Sequence, residues 1–251
     1  MSDQENQQMA DTGAAPKLTA PAELLAAVEA ADNTYFPADI EARGARAALA
    51  ELEKGLARWP ESFDLLWRLA RCCFWISDRS EDAALKREYG AKGAAYAEKA
   101  MNRHPARIEG HYYYTLCIGE YGRGLSIPVA ILQGIEKKFL AQAEIAVTID
   151  RMFDRTGPLL ALGRFYYVLP WPKRSLSKSI EYLRLALSLR PTARGYFYLA
   201  ESYIDTKKWK EARETLTALE QMAIDQISPH EHQWFVNHGQ LLLDKLGSKG
   251  R

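Results

Sequence analysis

Three cysteines are the strongest candidate nucleophiles in this sequence of 251 residues. Cys72 and Cys73 are adjacent and end an apolar stripe that begins at Leu66, a position typical of small buried side chains rather than of reactive thiolates. Neighbouring cysteines are poorly placed to bridge each other, and with Cys117 they form no disulfide framework, which favours a reducing compartment. Because no Ser/His/Asp arrangement accompanies them, we expect no enzyme; catalysis would have to depend on Cys73 or His111.

Three histidines near the C-terminus, His230, His232 and His238, are the candidate metal ligands. His230 and His232 are two residues apart and would face different sides of a helix, which disfavours a shared metal ion. Residues 228–231 have the pattern of a helix start, with a serine cap, a proline in the first turn and Glu231 completing a capping box. We therefore expect surface or capping roles for these histidines, with no metal and no cofactor.

Gly119, Gly122 and Gly124 superficially resemble a phosphate-binding loop. Such a loop follows a strand and is completed by Gly-Lys-Ser or Gly-Lys-Thr, and this sequence has neither feature. The glycines instead predict a tight turn between helices within residues 119–128.

The helices that position these groups follow a repeating pattern. In the clearest copy, residues 196–219, Ala200 and Ala212 fall where two antiparallel helices approach most closely, and large residues fill the gaps on either side. Similar first helices begin at residues 66, 111 and 159, and similar second helices are stopped by Pro60, Pro105 and Pro191. The pattern is typical of tetratricopeptide hairpins, which bury their apolar faces only by stacking.

The sequence therefore predicts an all-α fold, a tetratricopeptide-like helical hairpin array of about four hairpins over residues 19–246. Such an array is a short α-solenoid. Residues 1–18 and 247–251 are predicted to be disordered tails. Inside the domain, residues 128–150 read as one long amphipathic helix.

Helices are also predicted at the two ends of this domain. Near residue 19 a helix start is followed by an apolar stripe of Leu24, Leu25 and Val28. The last helix, starting at residues 228–231, is predicted to cap the open end of the stack with Trp234, Leu241, Leu242 and Leu246.

One residue beyond each packing position, the first helices carry aromatic and arginine side chains that would line the concave groove of the array. Such a groove suits an extended peptide, or an apolar ligand with an acidic group. The alternative is that these aromatics are internal packing, covered by the helix over residues 128–150. The predicted groove residues are Trp67, Arg68, Arg71, Trp75, Tyr112, Tyr113, Arg164, Tyr167, Phe197, Tyr198 and Glu201.

Charge is balanced overall but unevenly distributed. Lys plus Arg number 33 and Asp plus Glu number 32, so no global electrostatic argument favours nucleic acid. Residues 136–194 hold eleven bases and five acids, whereas residues 1–40 hold seven acids and Lys17. The basic stretch is either a set of solvated helix faces or a surface for an acidic partner or for the chain's own N-terminus. With no apolar leader and no run of about 18 apolar residues, we expect no membrane insertion and a cytoplasmic location.

Three segments resemble a known family: residues 65–71 (LLWRLAR), residues 96–100 (YAEKA), and Leu162-Gly163 leading to residues 169–171 (LPW). They are similar to the regulator of microtubule dynamics proteins and to the related T component of TRAP transporters, over residues 45–220. The first resemblance implies protein association, with microtubules in eukaryotes; the second implies a periplasmic partner that binds ligand. The first cysteine of this chain is Cys72, so we expect neither the lipobox of the bacterial lipoprotein nor its periplasmic role.

Together these features predict a non-enzymatic scaffold that binds a protein or peptide partner in its groove. The alternative is a protein that binds a small apolar or acidic ligand in an occluded groove, like a transporter-associated T component. The repeat pattern does not specify the partner or the oligomeric state.

Overall fold

The computed structural model describes residues 22–35, 42–225 and 228–249, and these fold into helices joined by short turns without a β-strand. Predictions for residues 1–18 and for the helix start at Thr19 lie outside this part of the chain. The helices are α1 (Ala22–Tyr35), α2 (Arg43–Arg58), α3 (Phe63–Asp78), α4 (Ala83–Arg103), α5 (Ile108–Arg123), α6 (Ile127–Leu132), α7 (Ile135–Asp150), α8 (Phe153–Val168), α9 (Leu176–Leu189), α10 (Ala193–Asp205), α11 (Trp209–Glu220) and α12 (Pro229–Lys249).

Within the described residues the helices pair into five antiparallel hairpins, against about four predicted: α1–α2, α3–α4, α5–α7, α8–α9 and α10–α11. The first helices of successive hairpins also contact each other, and they therefore form the inner row on the concave side of the array. The second helices contact only the hairpins next to them and form the outer row. The all-α, tetratricopeptide-like prediction is confirmed.

The seams between paired helices have the composition that the repeat pattern predicts. Ala70, Ala97, Ala186 and Ala212 are all 0% exposed. A Cβ added at Gly163 of α8 would lie 2.6 Å from the Leu183 side chain of α9, so the small residue allows close approach of the two helices. Pro60, Pro105 and Pro191 each lie two residues beyond the end of an outer helix, as the spacing predicts.

The predicted turn between helices is present but is confined to residues 124–126, and the first part of the glycine-rich segment is helical instead. Gly119 and Gly122 lie inside α5, and only residues 124–126 separate it from α6. A Cβ at Gly119 would lie 3.2 Å from the Phe139 ring, and one at Gly122 would lie 2.7 Å from Ile135. These glycines therefore serve the packing of α7 onto α5 and not a change of chain direction.

The helix predicted over residues 128–150 is broken in two. Gly134 has a φ of 65°, a left-handed conformation that ends α6 and starts α7. The six-residue α6 contains no buried residue, whereas α7 buries Ile135, Phe139, Ala143 and Ala146.

The terminal helices differ from the predictions at single positions. Leu24 and Val28 of α1 are buried, but Leu25 is 56% exposed. In α12, Leu246 is buried and Leu241 is 56% exposed, so Leu241 is not part of the capping face. This helix runs to Lys249, three residues past the predicted domain end, and packs on α10 and α11 as a cap.

Candidate functional site

All eleven predicted groove residues lie on the inner row, but they are not equally accessible. The half-buried ones are Trp67, Arg68, Arg164, Tyr167, Tyr198 and Glu201. Five are buried, and for these the structure supports the internal-packing alternative: Arg71, Trp75, Tyr112, Tyr113 and Phe197. The contacts that cover these residues come mainly from α1, from the start of α8 and from α12. From the helix over residues 128–150, which that alternative proposed as the cover, Ala146 lies in one buried cluster with Tyr112 and Tyr113.

Helix α1 closes the first part of the concave face through one acidic residue. Asp32 accepts hydrogen bonds from Arg68 Nε at 2.9 Å and from Arg71 Nη2 at 2.5 Å. The Arg71 guanidinium also lies 3.9 Å from the centre of the Tyr35 ring. Within the described residues, Asp32 of the acidic N-terminal segment thus pairs with bases of α3 and not with the basic stretch of residues 136–194.

The middle of the concave face is closed by the start of α8, where Tyr112 donates a hydrogen bond to Asp154 at 2.7 Å. Asp154, Arg155 and Thr156 have φ values of 44°, 59° and 67°. A left-handed conformation costs a non-glycine residue about 1–2 kcal/mol, so surrounding contacts must hold this turn in place. Gly157 makes room for the Tyr112 ring, because a Cβ there would lie 2.3 Å from the Tyr112 hydroxyl oxygen.

Helix α12 closes the far part through Glu231, which is 8% exposed. Its carboxylate accepts hydrogen bonds from Arg194 and, at 3.4 Å, from Arg155 Nη2, and it lies 3.9 Å from Arg79 Nη2. Burial alone would raise the pKa of Glu231, but Arg194, Arg155 and Arg79 together lower it. Glu231 therefore binds across the array and not back to its own helix start, which corrects the capping-box prediction.

The predicted roles of the C-terminal histidines hold only in part. His230 is exposed, but His232 is 5% exposed and so has no surface role. The His238 ring stacks on Trp234 at 3.7 Å. The described part of the chain contains no group of three or more His, Cys, Asp or Glu side chains that could hold a metal ion.

The contacts of Asp32, Asp154 and Glu231 together define the closed half of the concave face, and the other half stays open around Arg164. The Arg164 guanidinium lies 4.8 Å from the Tyr167 ring and 4.6 Å from the Tyr198 ring, and it donates a hydrogen bond to Glu201 at 2.6 Å. Burial raises the pKa of Glu201, against the opposing effect of Arg164, and burial also raises the pKa of Tyr167 to about 12. We call these four residues the open cluster.

Further charges border the open cluster. Arg174 of the α8–α9 loop lies 4.7 Å from the Tyr167 ring and pairs with Asp205. Arg123 at the end of α5 lies near Tyr198, is 44% exposed and pairs with Glu120 at 2.7 Å. Aromatic faces beside charged groups allow contacts with both apolar and charged side chains of a partner.

Several residues of the closed half escaped the sequence analysis as site residues, namely Asp32, Arg79, Asp154, Arg194 and Glu231. Each makes a contact across the closed half with a residue 30 or more positions away in the chain. No local spacing rule connects such pairs, although the acidic excess in residues 1–40 was a signal for Asp32.

The cysteines have the buried environment that the sequence predicts. Cys72, Cys73 and Cys117 are unbridged and 0% exposed. Burial raises the pKa of Cys72 to about 12 and also raises those of the other two thiols. The described residues include no helix that is long and apolar enough to cross a membrane.

We expect the three thiols of the native protein to react with Ellman's reagent at least about a hundredfold more slowly than those of the unfolded chain, because the thiolate is the nucleophile. The measurement is the absorbance time course at pH 8 with and without guanidinium chloride. If even one thiol of the native protein reacted rapidly with the reagent, this would contradict the burial described above.

The stacked hairpins, the inner row and the concave face define a tetratricopeptide-like helical array. A solved thermophilic TPR protein of Thermus thermophilus superposes with a TM-score of 0.65 at 19% identity, covering 87% of this chain and 99% of that one. The chain belongs to the family "Regulator of microtubule dynamics protein 1-3", whose profile matches residues 27–246. The resemblance to the regulator of microtubule dynamics proteins is therefore confirmed, whereas the resemblance to the T component of TRAP transporters stays a prediction.

Individual relatives agree with this assignment. Regulator of microtubule dynamics protein 1 of Bos taurus is 27% identical over 187 residues, covering 71% of this chain and 54% of the relative. Regulator of microtubule dynamics protein 2 of Rattus norvegicus is 22% identical over 177 residues, covering 62% of this chain and 41% of the relative. Protein 3 of Bos taurus is 27% identical over 169 residues, covering 60% and 35%. The chain thus spans about half or less of the length of these relatives.

Proposed function

We propose that this protein is a non-enzymatic interaction scaffold that binds a protein or peptide partner at the open cluster of its concave face. The observation that carries the proposal is the arginine held between two half-buried tyrosines, with Glu201 alongside. Arginine and tyrosine are enriched among the residues that dominate protein interfaces, because they combine apolar area with directed polar contacts.

We place the partner only on the open half of the concave face. The closed half is filled by the chain's own Asp32, Tyr35 and Glu231, so the buried groove residues stabilise the array and do not contact the partner. The names of the relatives connect them with microtubule dynamics, which is consistent with a protein partner. Three unbridged buried thiols support a reducing compartment such as the cytoplasm.

We expect Arg164→Glu to weaken binding of a partner peptide at least about tenfold, because it reverses the charge between the tyrosines and places it beside Glu201. Peptides would be selected from a displayed library on the parent protein, and their affinities measured by fluorescence polarisation. Arg213→Glu on the exposed side of α11 is the matched control and should leave affinity unchanged. Equal affinities of the parent and Arg164→Glu, with thermal unfolding confirming that both fold, would place the partner elsewhere.

A small ligand inside the closed half is the second candidate function, supported by polar atoms in the interior. Trp75 Nε1 and His232 Nδ1 are buried and have no hydrogen-bond partner among the described residues. A pocket lined by Arg155, Arg194 and His232 has a cavity volume of about 10 Å³, room for one water molecule, so a small ligand would require these side chains to move apart. A ligand with acceptor and donor groups would satisfy these atoms. Native mass spectrometry of the purified protein distinguishes the candidates, because only this one requires a retained molecule.

A further inference from the structure

Exposed apolar side chains concentrate on α6 and on the loop between α8 and α9. Ile131 is 65%, Leu132 is 86% and Trp171 is 90% exposed. Ile127, at 56%, and Val129, at 38%, extend the same short helix. A soluble protein rarely leaves several large apolar residues uncovered together without a binding role. We call these five residues the apolar tip.

Two contacts bring α6 and the loop together. Ala130 of α6 and Leu169 of the loop pack against one buried cluster, which includes Ile135. Lys173 of the loop forms an ion pair with Glu136, in the first turn of α7. The loop and α6 therefore protrude from neighbouring parts of the same surface.

The segments that carry the apolar tip are strongly basic. Residues 127–138 and 168–180 contain one acidic residue, Glu136, and five bases: Lys137, Lys138, Lys173, Arg174 and Lys178. Lys137 and Lys138 are exposed and lie directly after the α6–α7 break. The surface around the tip is thus complementary to an anionic partner.

We propose that the apolar tip docks this protein onto the surface of an anionic lipid bilayer. The tip is a protrusion, and the two pockets at residues 53–103 and 154–235 are lined by other residues. A protruding tip offers no groove to grip a peptide, whereas a bilayer interface accepts protruding aliphatic side chains and tryptophan while lysines contact anionic headgroups. The protein would lie on the membrane through this tip without crossing it.

The first test is co-sedimentation of the full chain with vesicles of phosphatidylcholine and phosphatidylserine, and with phosphatidylcholine vesicles alone. The parent should bind only the anionic vesicles, and more weakly at high salt. Ile131→Asp with Leu132→Asp should lower the partition coefficient about a hundredfold, because both side chains lose their apolar contact with the bilayer. The matched control Leu241→Asp, at a similarly exposed apolar residue outside the tip, should bind like the parent.

The second test addresses charge and insertion separately. Lys137→Glu with Lys138→Glu should lower binding at least about tenfold, since each lysine near an anionic surface contributes about fivefold. Lys207→Glu with Lys210→Glu makes the same change in net charge away from the tip and should have little effect. Brominated lipids should quench Trp fluorescence of the parent, and Trp171→Phe should remove most of that quenching while vesicle binding persists.

Three results would overturn the proposal. The first is that the parent fails to bind anionic vesicles at low salt, and the second is that the tip variants bind these vesicles as well as the parent does. The third is that no form binds vesicles, while the parent self-associates with rising concentration and the Ile131→Asp/Leu132→Asp variant does not. The last result would make the tip an interface between two copies of the chain. Circular dichroism of each variant checks that these surface substitutions leave the helices intact.

Discussion

Replacing Glu231 with glutamine is expected to lower the free energy of unfolding at pH 7 by about 3–5 kcal/mol, the usual cost of removing one partner from a buried ion pair. Glu231 is 8% exposed and serves three guanidinium groups at once. Without its charge, Arg194 keeps no hydrogen-bonded carboxylate among the described residues. Arg79, directly after α3, loses its ion pair with α12 and keeps only its contact with the Trp234 ring of that helix. Urea unfolding followed by circular dichroism measures the change.

The pH dependence of the free energy of unfolding provides a second measurement of the role of Glu231. Burial alone would raise the pKa of Glu231, but the three arginines lower it in the folded state, below an unfolded value of about 4.3. The stabilisation is therefore fully present above the unfolded pKa and is lost as the pH falls through the folded pKa. For this reason, the difference in free energy of unfolding between the parent and Glu231→Gln should become smaller below about pH 4.

A matched control separates this effect from a general loss of negative charge. Glu220→Gln, at an exposed position of α11, should change the free energy of unfolding by less than about 0.5 kcal/mol. A Glu231→Gln protein as stable as the Glu220→Gln protein at pH 7 would show that the cluster of arginines does not need this carboxylate.

Gly90→Ala adds only one methyl group, but it is expected to lower the free energy of unfolding by about 1–3 kcal/mol. Gly90 lies in the interior of α4, and its added Cβ would lie 2.5 Å from Tyr121 N and 2.8 Å from Tyr121 Cα of α5. Both atoms belong to the backbone, so the contact can be relieved only by moving two helices apart. Thermal unfolding of the variant measures the loss.

Gly55→Ala is the control for the intrinsic preference of helices for alanine. Gly55 is also buried inside a helix, but its nearest neighbour would be Leu65 Cδ1 at 3.4 Å, an ordinary contact. Removal of the glycine should therefore stabilise α2 by about 0.5–1 kcal/mol. We therefore expect Gly90→Ala to lower the free energy of unfolding and Gly55→Ala to raise it. Equal changes for the two substitutions would mean that α4 and α5 do not approach as closely as described.

The sequence predicts the inner packing of this fold well because the pattern is local. Ala100 and Ala186 each lie five residues before a helix-stopping proline, Pro105 and Pro191, and both are fully buried. The break at Gly134 was missed because the residues on both sides continue one apolar stripe. Three successive left-handed residues at Asp154 to Thr156 have no sequence signal, since none of them is a glycine.

The concave face was only partly predictable for a different reason. The spacing places Tyr112 and Arg164 on the same side of their helices, and the structure confirms that both lie on the inner row. Spacing within a helix does not reveal which distant segment covers that side. Asp32, Asp154 and Glu231 cover one half through contacts that the folded chain alone brings together. Tyr112, which Asp154 contacts, is therefore buried, whereas Arg164 is half-buried.

The contact of Arg79 with Glu231 and Trp234 has a consequence for how the array unfolds. In an open solenoid each repeat touches only its neighbours, so the ends fray independently and stability is nearly a sum over repeats. Here the second hairpin is joined to the last helix across more than half of the chain. Loss of α12 therefore weakens α3 as well, and denaturation should occur as one cooperative transition. Folding must close this long loop before the contact forms, which makes the final step slow in comparison with the formation of single hairpins.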